Sequence, residues 1–314
     1  MTTFAIKEEQ LWAAIEATYD VEETIVATDV LEVENLQPNP TESIKIIERN
    51  IVRSSLAPQV HQVGGSLFGF SFDTEFKGGG TAGTPSRMSR LLRACGMTET
   101  IVASTSVTHE PESDTSLHDS LTFFYREGPN LRKVTGARGT CVLNVDAGGR
   151  FIFSFTFIGH ISDELVEAAP AETPETTAPP IFRGAAFTAK AITTAIGKLS
   201  VDLGNTMSIA PDPNSDDSFG VIRIGARKLV GSFDPEAQSI AVHDFIDDLR
   251  SATEFALATG VLGTVAGNQI AVSLPRCQYV NIAPGDREAL RVYEASFSAY
   301  PTTAGDDDVA FQQT

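Results

Sequence analysis

The sequence predicts a mainly β protein with flanking helices (α+β), built as two tandem antiparallel β-sandwich or barrel-like units, each with one packed helix. Three observations lead there. Phenylalanines alternate with small or polar residues at 68–76 and again at 151–157, the period of a half-buried strand. The other strand-like segments are short and separated by turn residues, too closely spaced for the crossover helices of βαβ units. The order strand, helix, several strands occurs twice, at Ser66–Ile161 and at Ser218–Ser298.

Taken in order, Glu8 to Tyr19 puts Leu11, Trp12, Ile15 and Tyr19 at helical spacing, and predicts a short helix with Trp12 as a packing anchor. Thr28 to Pro40 reads as an extended arm closed to helix by Pro38 and Pro40. Ile44 to Val52 alternates as a strand. Leu67, Gly69, Ser71, Asp73 and Glu75 interleave with Phe68, Phe70, Phe72 and Phe76 in a strand with one aromatic face. After the loop KGGGTAGTP, Thr84 and Pro85 suit the N-cap and first position of a helix ending at Gly96, with Met88, Leu91, Leu92 and Cys95 on one face.

Ile101 to Asp119 is polar and reads as a loop around a short edge strand. Leu121–Arg126, Thr140–Val145 and Arg150–Ile161 read as three strands, turned at 127–130 and 146–149. AAPAETPETTAPP at 168–180 has no aromatic or branched aliphatic residue and predicts an extended linker. The expected domains are therefore 1–167 and 181–314.

In the second, Phe187 to Met207 gives a strand pair and Gly220 to Val230 repeats the strand of Gly69–Phe76. Phe245, Leu249, Ala252 and Ala256 mark an amphipathic helix. Leu257–Val265, Gln269–Leu274, Cys277–Ile282 and Leu290–Ser298 complete the strands, with turns at 267–268 and 283–286, before a tail, DDDVAFQQT, that is expected to be loose.

The 314 residues exceed the usual size of one domain, and 42% hydrophobic with 20% charged residues is globular composition. A net charge of −18 opposes nucleic-acid binding, which needs clustered Lys and Arg. Cys95, Cys141 and Cys277 are odd in number and lack CxxC spacing, so neither a disulfide framework nor a zinc site is expected and a reducing compartment fits. A basic start followed by an apolar core is missing from the first residues, and no apolar window reaches about 18 residues. A soluble chain without a classical export signal or membrane insertion is the expectation.

Chemistry-bearing patterns are few. Gly78, Gly79, Gly80 and Gly83 precede a helix but lack the Lys of a phosphate loop. His61, His109, His118, His160 and His243 share no ligand spacing, and no GxSxG surrounds a serine. The expectation is no catalytic residue, cofactor or metal.

GARKLVGSFDPEA, an amphipathic helix, and then VLGTVAGNQIAVSLPRCQYVNIAPGDREALRVYEASF closely resemble the tail tube (major tail) proteins of long-tailed bacteriophages. FSFDTEFKGGGTAGTPSRMSRLLRACG and RFIFSFTFIGHISDE look like a divergent second copy. The resemblance implies a non-enzymatic virion protein, assembled in the host bacterial cytoplasm into stacked rings that form a tail tube. Simple members with one such domain form hexameric rings, so two domains per chain imply a homotrimer presenting six. Implied partners are further copies, the tape measure, tail terminator and distal tail proteins, and double-stranded DNA passing without specific binding. The expected assembly residues are Asp29, Pro38 and Pro40 of the arm and Gly78, Gly79, Gly80 and Pro85 of the loop. The alternatives are a carbohydrate-active or sugar-binding β-sandwich protein, which would need two carboxylates beside aromatic platforms, and a tube protein of a secretion or contractile injection system.

Overall fold

The computed structural model describes residues 9–314 except 56 and 191. Strand β1 (Glu9–Ile15) lies between β2 (Val30–Leu31), which follows a 3₁₀ turn at Ala27–Asp29, and a later strand. Glu8, the expected start of a first helix, lies outside the described residues, Glu9–Ile15 is strand rather than helix, and 17–19 form bends and a turn. The cause is burial on both faces: Leu11 enters the main core, while Trp12 packs with Val30, Phe124 and Leu131 on the other side. A short apolar run of this kind fits either period.

The expected arm continues as β3 (Glu34–Glu42), paired to the first Phe-rich strand. Of the strand expected at 44–52 only β4 (Ile46–Ile47) forms, against β5 (Gln62–Val63). Strand β6 (Leu67–Glu75) has its aromatic face inward as expected, and α1 (Ser89–Ala94) follows. This helix is shorter than predicted, because Pro85 and Ser86 are irregular and Arg87 and Met88 form a turn, and it stops at Gly96 with φ +76°. The hairpin β7 (Met97–Val102) and β8 (Ser106–Pro111) occupies the expected loop. Strands β9 (Leu121–Glu127), β10 (Asn130–Asp146) and β11 (Ile152–Val166) then form an antiparallel meander.

The second half begins with β12 (Thr188–Ala189) and β13 (Ile196–Asp202). A separate two-stranded sheet, β14 (Thr206–Pro211) and β15 (Phe219–Ala226), precedes β16 (Val230–Pro235). Helix α2 (Phe245–Arg250) is capped by the Asp244 carboxylate, which accepts from the amides of Ile246 and Asp247. It ends before Ala252, which turns to φ +52°, so the predicted continuation to Ala256 is lost to β17 (Phe255–Ala258). Strand β18 (Ile270–Arg287) runs straight through 283–286, where a turn was expected, and the reversal falls at Glu288 and Ala289 before β19 (Leu290–Ala299). The tail forms β20 (Ala310–Gln313) instead of being loose.

Sixteen strands form one sheet, antiparallel at every pairing. Within it one spatial order occurs twice. In the first half it is β1-β9-β10-β11-β6-β3; in the second it is β12-β17-β18-β19-β16-β13. Each has a two-stranded insertion between its second and third strands in the chain and its helix after the third. The strand corresponding to β6 is thus β16 rather than 220–230, which lies largely in the inserted pair β14–β15.

Two joints connect the halves. Val142–Asp146 of β10 pairs with Lys198–Asp202 of β13, and β20 pairs with both β18 and β8. One core crosses both joints: Phe311 of the tail lies 5.0 Å from Phe153 and 6.2 Å from Phe76, ring centre to ring centre. The Pro-rich segment is extended as predicted but lies against the body, with Thr173 N–H donating to Ala27 O at 2.9 Å and Glu175 pairing with Lys77 at 3.4 Å.

Phe311 is fully buried. Phe311→Ala is expected to cost about 3–5 kcal/mol in equilibrium denaturation, whereas a loose tail would leave the midpoint unchanged.

Candidate assembly surfaces

The residues expected to carry assembly divide between the surface and the interior. Pro38 and Pro40 lie on β3, which pairs with β6 on one flank only. Proline belongs at such an edge, since it has no N–H to give a ladder. Asp29 is buried: one carboxylate oxygen accepts from Val26 N–H at 2.8 Å and the other meets Arg90 at 2.5 Å. It anchors the root of the arm to α1. Pro85 and Asp29 come together on the wall of a cleft of about 420 Å³, with Arg87, Arg90 and Glu99.

Gly78 and Gly80 face the other half of the same chain, whereas Gly79 packs against Thr84 and Pro85 of its own loop. Gly78 N–H donates to Asn268 Oδ1 at 3.0 Å and Gly80 N–H to Gly267 O at 2.9 Å. A Cβ on Gly78 would sit 2.3 Å from Gly267 O, so only glycine permits this approach.

The sequence reading missed the most exposed apolar segment. The described residues of 43–63 form a segment carried on a narrow stem, closed by Lys45 N–H to Gly65 O at 2.9 Å and Gly64 N–H to Lys45 O at 2.7 Å. Ile46, Ile47, Ile51, Val52 and Val60 on it are 43–100% exposed. The segment carries Lys45, Arg49 and Arg53 against Glu48 alone, within a chain of net charge −18. Its branched aliphatics were legible, but alternation made them look like a buried strand.

A second feature fastens the insertion of the other half. His160 Nδ1 lies 2.6 Å from Asp217 Oδ2 and Nε2 lies 3.2 Å from Tyr19 Oη, which accepts from Ile222 N–H at 2.8 Å. The Asp217 carboxyl is pushed up by partial burial but more than offset by the Ser215 hydroxyl, His160 and Phe219 N–H, which hold it below the usual carboxylate range. Burial pushes the Tyr19 phenol up to about 12. The group is a clasp between β15, β11 and the turn after β1.

The cysteines are buried, and burial pushes the thiols of Cys95 and Cys277 up, Cys277 to about 12, opposite to what a nucleophile needs. Trp12 is fully buried and offers no platform for a sugar ring. Among the described residues, no group of three or more His, Cys, Asp or Glu is arranged to hold a metal ion, and no helix is long and apolar enough to cross a membrane.

Comparison with known families decides the matter. A family model described as phage tail tube protein matches residues 7–312. The chain belongs to that family. No curated protein matches it. As a tail tube protein it is a structural component of the virion tail.

The sign of the Asp217 shift sets a pH dependence. Its stabilising contribution is present above the unfolded carboxyl value, about 3.9, and is lost as pH falls through the lower folded value. At pH 7 Asp217→Ala is expected to cost about 1–3 kcal/mol from the lost charged hydrogen bonds. Hydrogen exchange should place that loss in 206–226, and the wild type should approach the variant's exchange there in strong acid.

Proposed function

We propose that this tail tube protein polymerises as homotrimers into stacked rings, forming the conduit through which the phage genome leaves the virion. On this reading 1–167 and 181–314 are tandem tube domains joined by 168–180, and three chains supply six similar domains. The observation that carries it is the strand order found twice in one chain, with the two units already meeting edge to edge at β10 and β13. Repeating such a head-to-tail contact gives a ring if the rotation closes.

Stacking is assigned to the segment 43–63. Its exposed branched side chains would lose contact with water against another ring, and its positive charge suits the acidic surface of a second copy. An acidic lumen repels DNA and so lets it pass without sticking. The tape measure, terminator and distal tail proteins would meet the tube at its bore and ends, with assembly in the host bacterial cytoplasm.

Electron microscopy of the purified protein at rising concentration, alone and with a tail initiator complex, is expected to give rings of three chains and then tubes. Monomers that persist under both conditions would refute the reading. Replacing 48–61 by a short Gly-Ser linker is expected to leave rings that do not elongate; tubes of normal length would remove the stacking role of that segment.

A further inference from the structure

The repeated strand order leaves two flanks without a partner strand among the described residues, and they correspond to the two strands that meet inside the chain. Placing the hairpin β10–β11 on β18–β19 puts Phe155 on Ala295 and, through their cross-strand neighbours, Cys141 on Ile282 and Phe72 on Phe233. Leu143 then corresponds to Pro284 and Val145 to Asp286. On the outer strand, Leu199 corresponds to Leu36, Val201 to Pro38 and Leu203 to Pro40.

In the internal joint Val201 lies opposite Leu143 and Leu199 opposite Val145. The bonds Leu203 N–H to Cys141 O at 3.1 Å and Ala147 N–H to Gly197 O at 2.7 Å show that Cys141, Leu143 and Val145 point their backbone groups into this joint. The same alternation fixes the free flanks. Tyr300 N–H donates to Arg276 O, and after the bulge between Tyr279 and Asn281 the residues facing β19 are Asn281, Ala283 and Gly285. Ile282, Pro284 and Asp286 therefore point away from β19, along a flank that no strand among the described residues covers. Phe76 N–H donates to Phe151 O, so Ser71 and Gly69 face β3, their partners Gln37 and Asn39 face back, and Leu36, Pro38 and Pro40 point outward. Burial tells the same story: Leu143 and Val145 are 1% and 4% exposed under β13, whereas Pro284 and Asp286 are exposed.

We propose that neighbouring chains join through a second, weaker version of the internal joint, the outer flank of β3 of one copy lying along Ile282–Asp286 of the next. The inference rests on the ring reading above and specifies its lateral contact. In the register of the internal joint, Pro40 meets Ile282, Pro38 meets Pro284 and Leu36 meets Asp286. Each facing pair would exchange two backbone bonds. Pro38 and Pro284 remove both from their pair, and Pro40 removes one from its pair with Ile282, so half of the ladder is missing. The internal joint uses Val201, Leu143 and Leu203 at the same places and keeps all of its donors. Proline at these edges keeps a free subunit from pairing prematurely. The closed ring then alternates strong joints within chains and weak ones between them.

The pairs that do not exchange bonds test the register, since their Cα atoms lie close enough for a disulfide. Asn39 and Ala283 correspond to Asp202 and Val142, which are opposite each other in the internal joint. The double variant Asn39→Cys, Ala283→Cys, assembled and then oxidised, is expected to give a ladder of covalent multimers on a non-reducing denaturing gel, with neither single variant doing so. Cys95, Cys141 and Cys277 are buried and leave the background low. Rings visible by microscopy without a ladder overturn the joint and leave the ring reading standing; neither rings nor ladder overturns both. For the missing donors, Pro38→Val with Pro284→Val is expected to lower the concentration at which rings appear at least several-fold. An unchanged or raised threshold overturns the claim that proline weakens this joint.

Discussion

Strand β10 has one partner along one flank and two along the other, and the architecture depends on how that second flank is shared. Next to β9 it serves the first half; beyond the irregularity at Val134–Ala137 it serves β13 of the second. A buried backbone group without a partner costs about as much as a lost hydrogen bond, so neither half can leave that flank bare. The result is a sheet in which the linker at 168–180 marks a change in composition but no break in the hydrogen-bonded ladder.

The aromatic stripe follows from the same arrangement. Phe151, Phe153, Phe155 and Phe157 stand on one face of β11 and its approach, opposite Phe72, Phe76 and Phe123 at 5.1–6.5 Å between ring centres. Their packing holds β6 beside β11, which leaves β3 as the outermost strand and sets the direction in which Pro38 and Pro40 point. Core packing and surface chemistry are therefore linked through register: a slip of one residue in β6 would turn the prolines inward and break the ladder to β3.

Much of this was legible. The alternating stripes at 68–76 and 151–157, the two helices and the repeated order all have local signatures, and family resemblance could be read from the second half. The failures share a cause, which is that local pattern cannot report what covers an element. Leu11 and Trp12 mimic helix spacing because both faces of β1 are covered. Pro284 suggested a turn because proline breaks ladders, yet its nitrogen faces an empty flank and β18 loses nothing by continuing. DDDVAFQQT looked polar enough to be loose, although Val309 and Phe311 are buried because β20 pairs with both β18 and β8 and Phe311 packs on Phe76 and Phe153. Of the residues expected to carry assembly, Pro38 and Pro40 lie on the outermost strand β3, while Asp29, Gly78 and Gly80 make contacts within the chain.

The position of Phe311 imposes an order in time. Phe76 and Phe153 are made in the first half of synthesis, and the ring that fills the space between them comes more than half a chain later. The first half remains incompletely packed until the ribosome has made residues beyond 309, and closing so long a loop is a slow step. A chain cut short by abortive translation lacks this plug and β20 together. Such a chain leaves open the core that the two halves share.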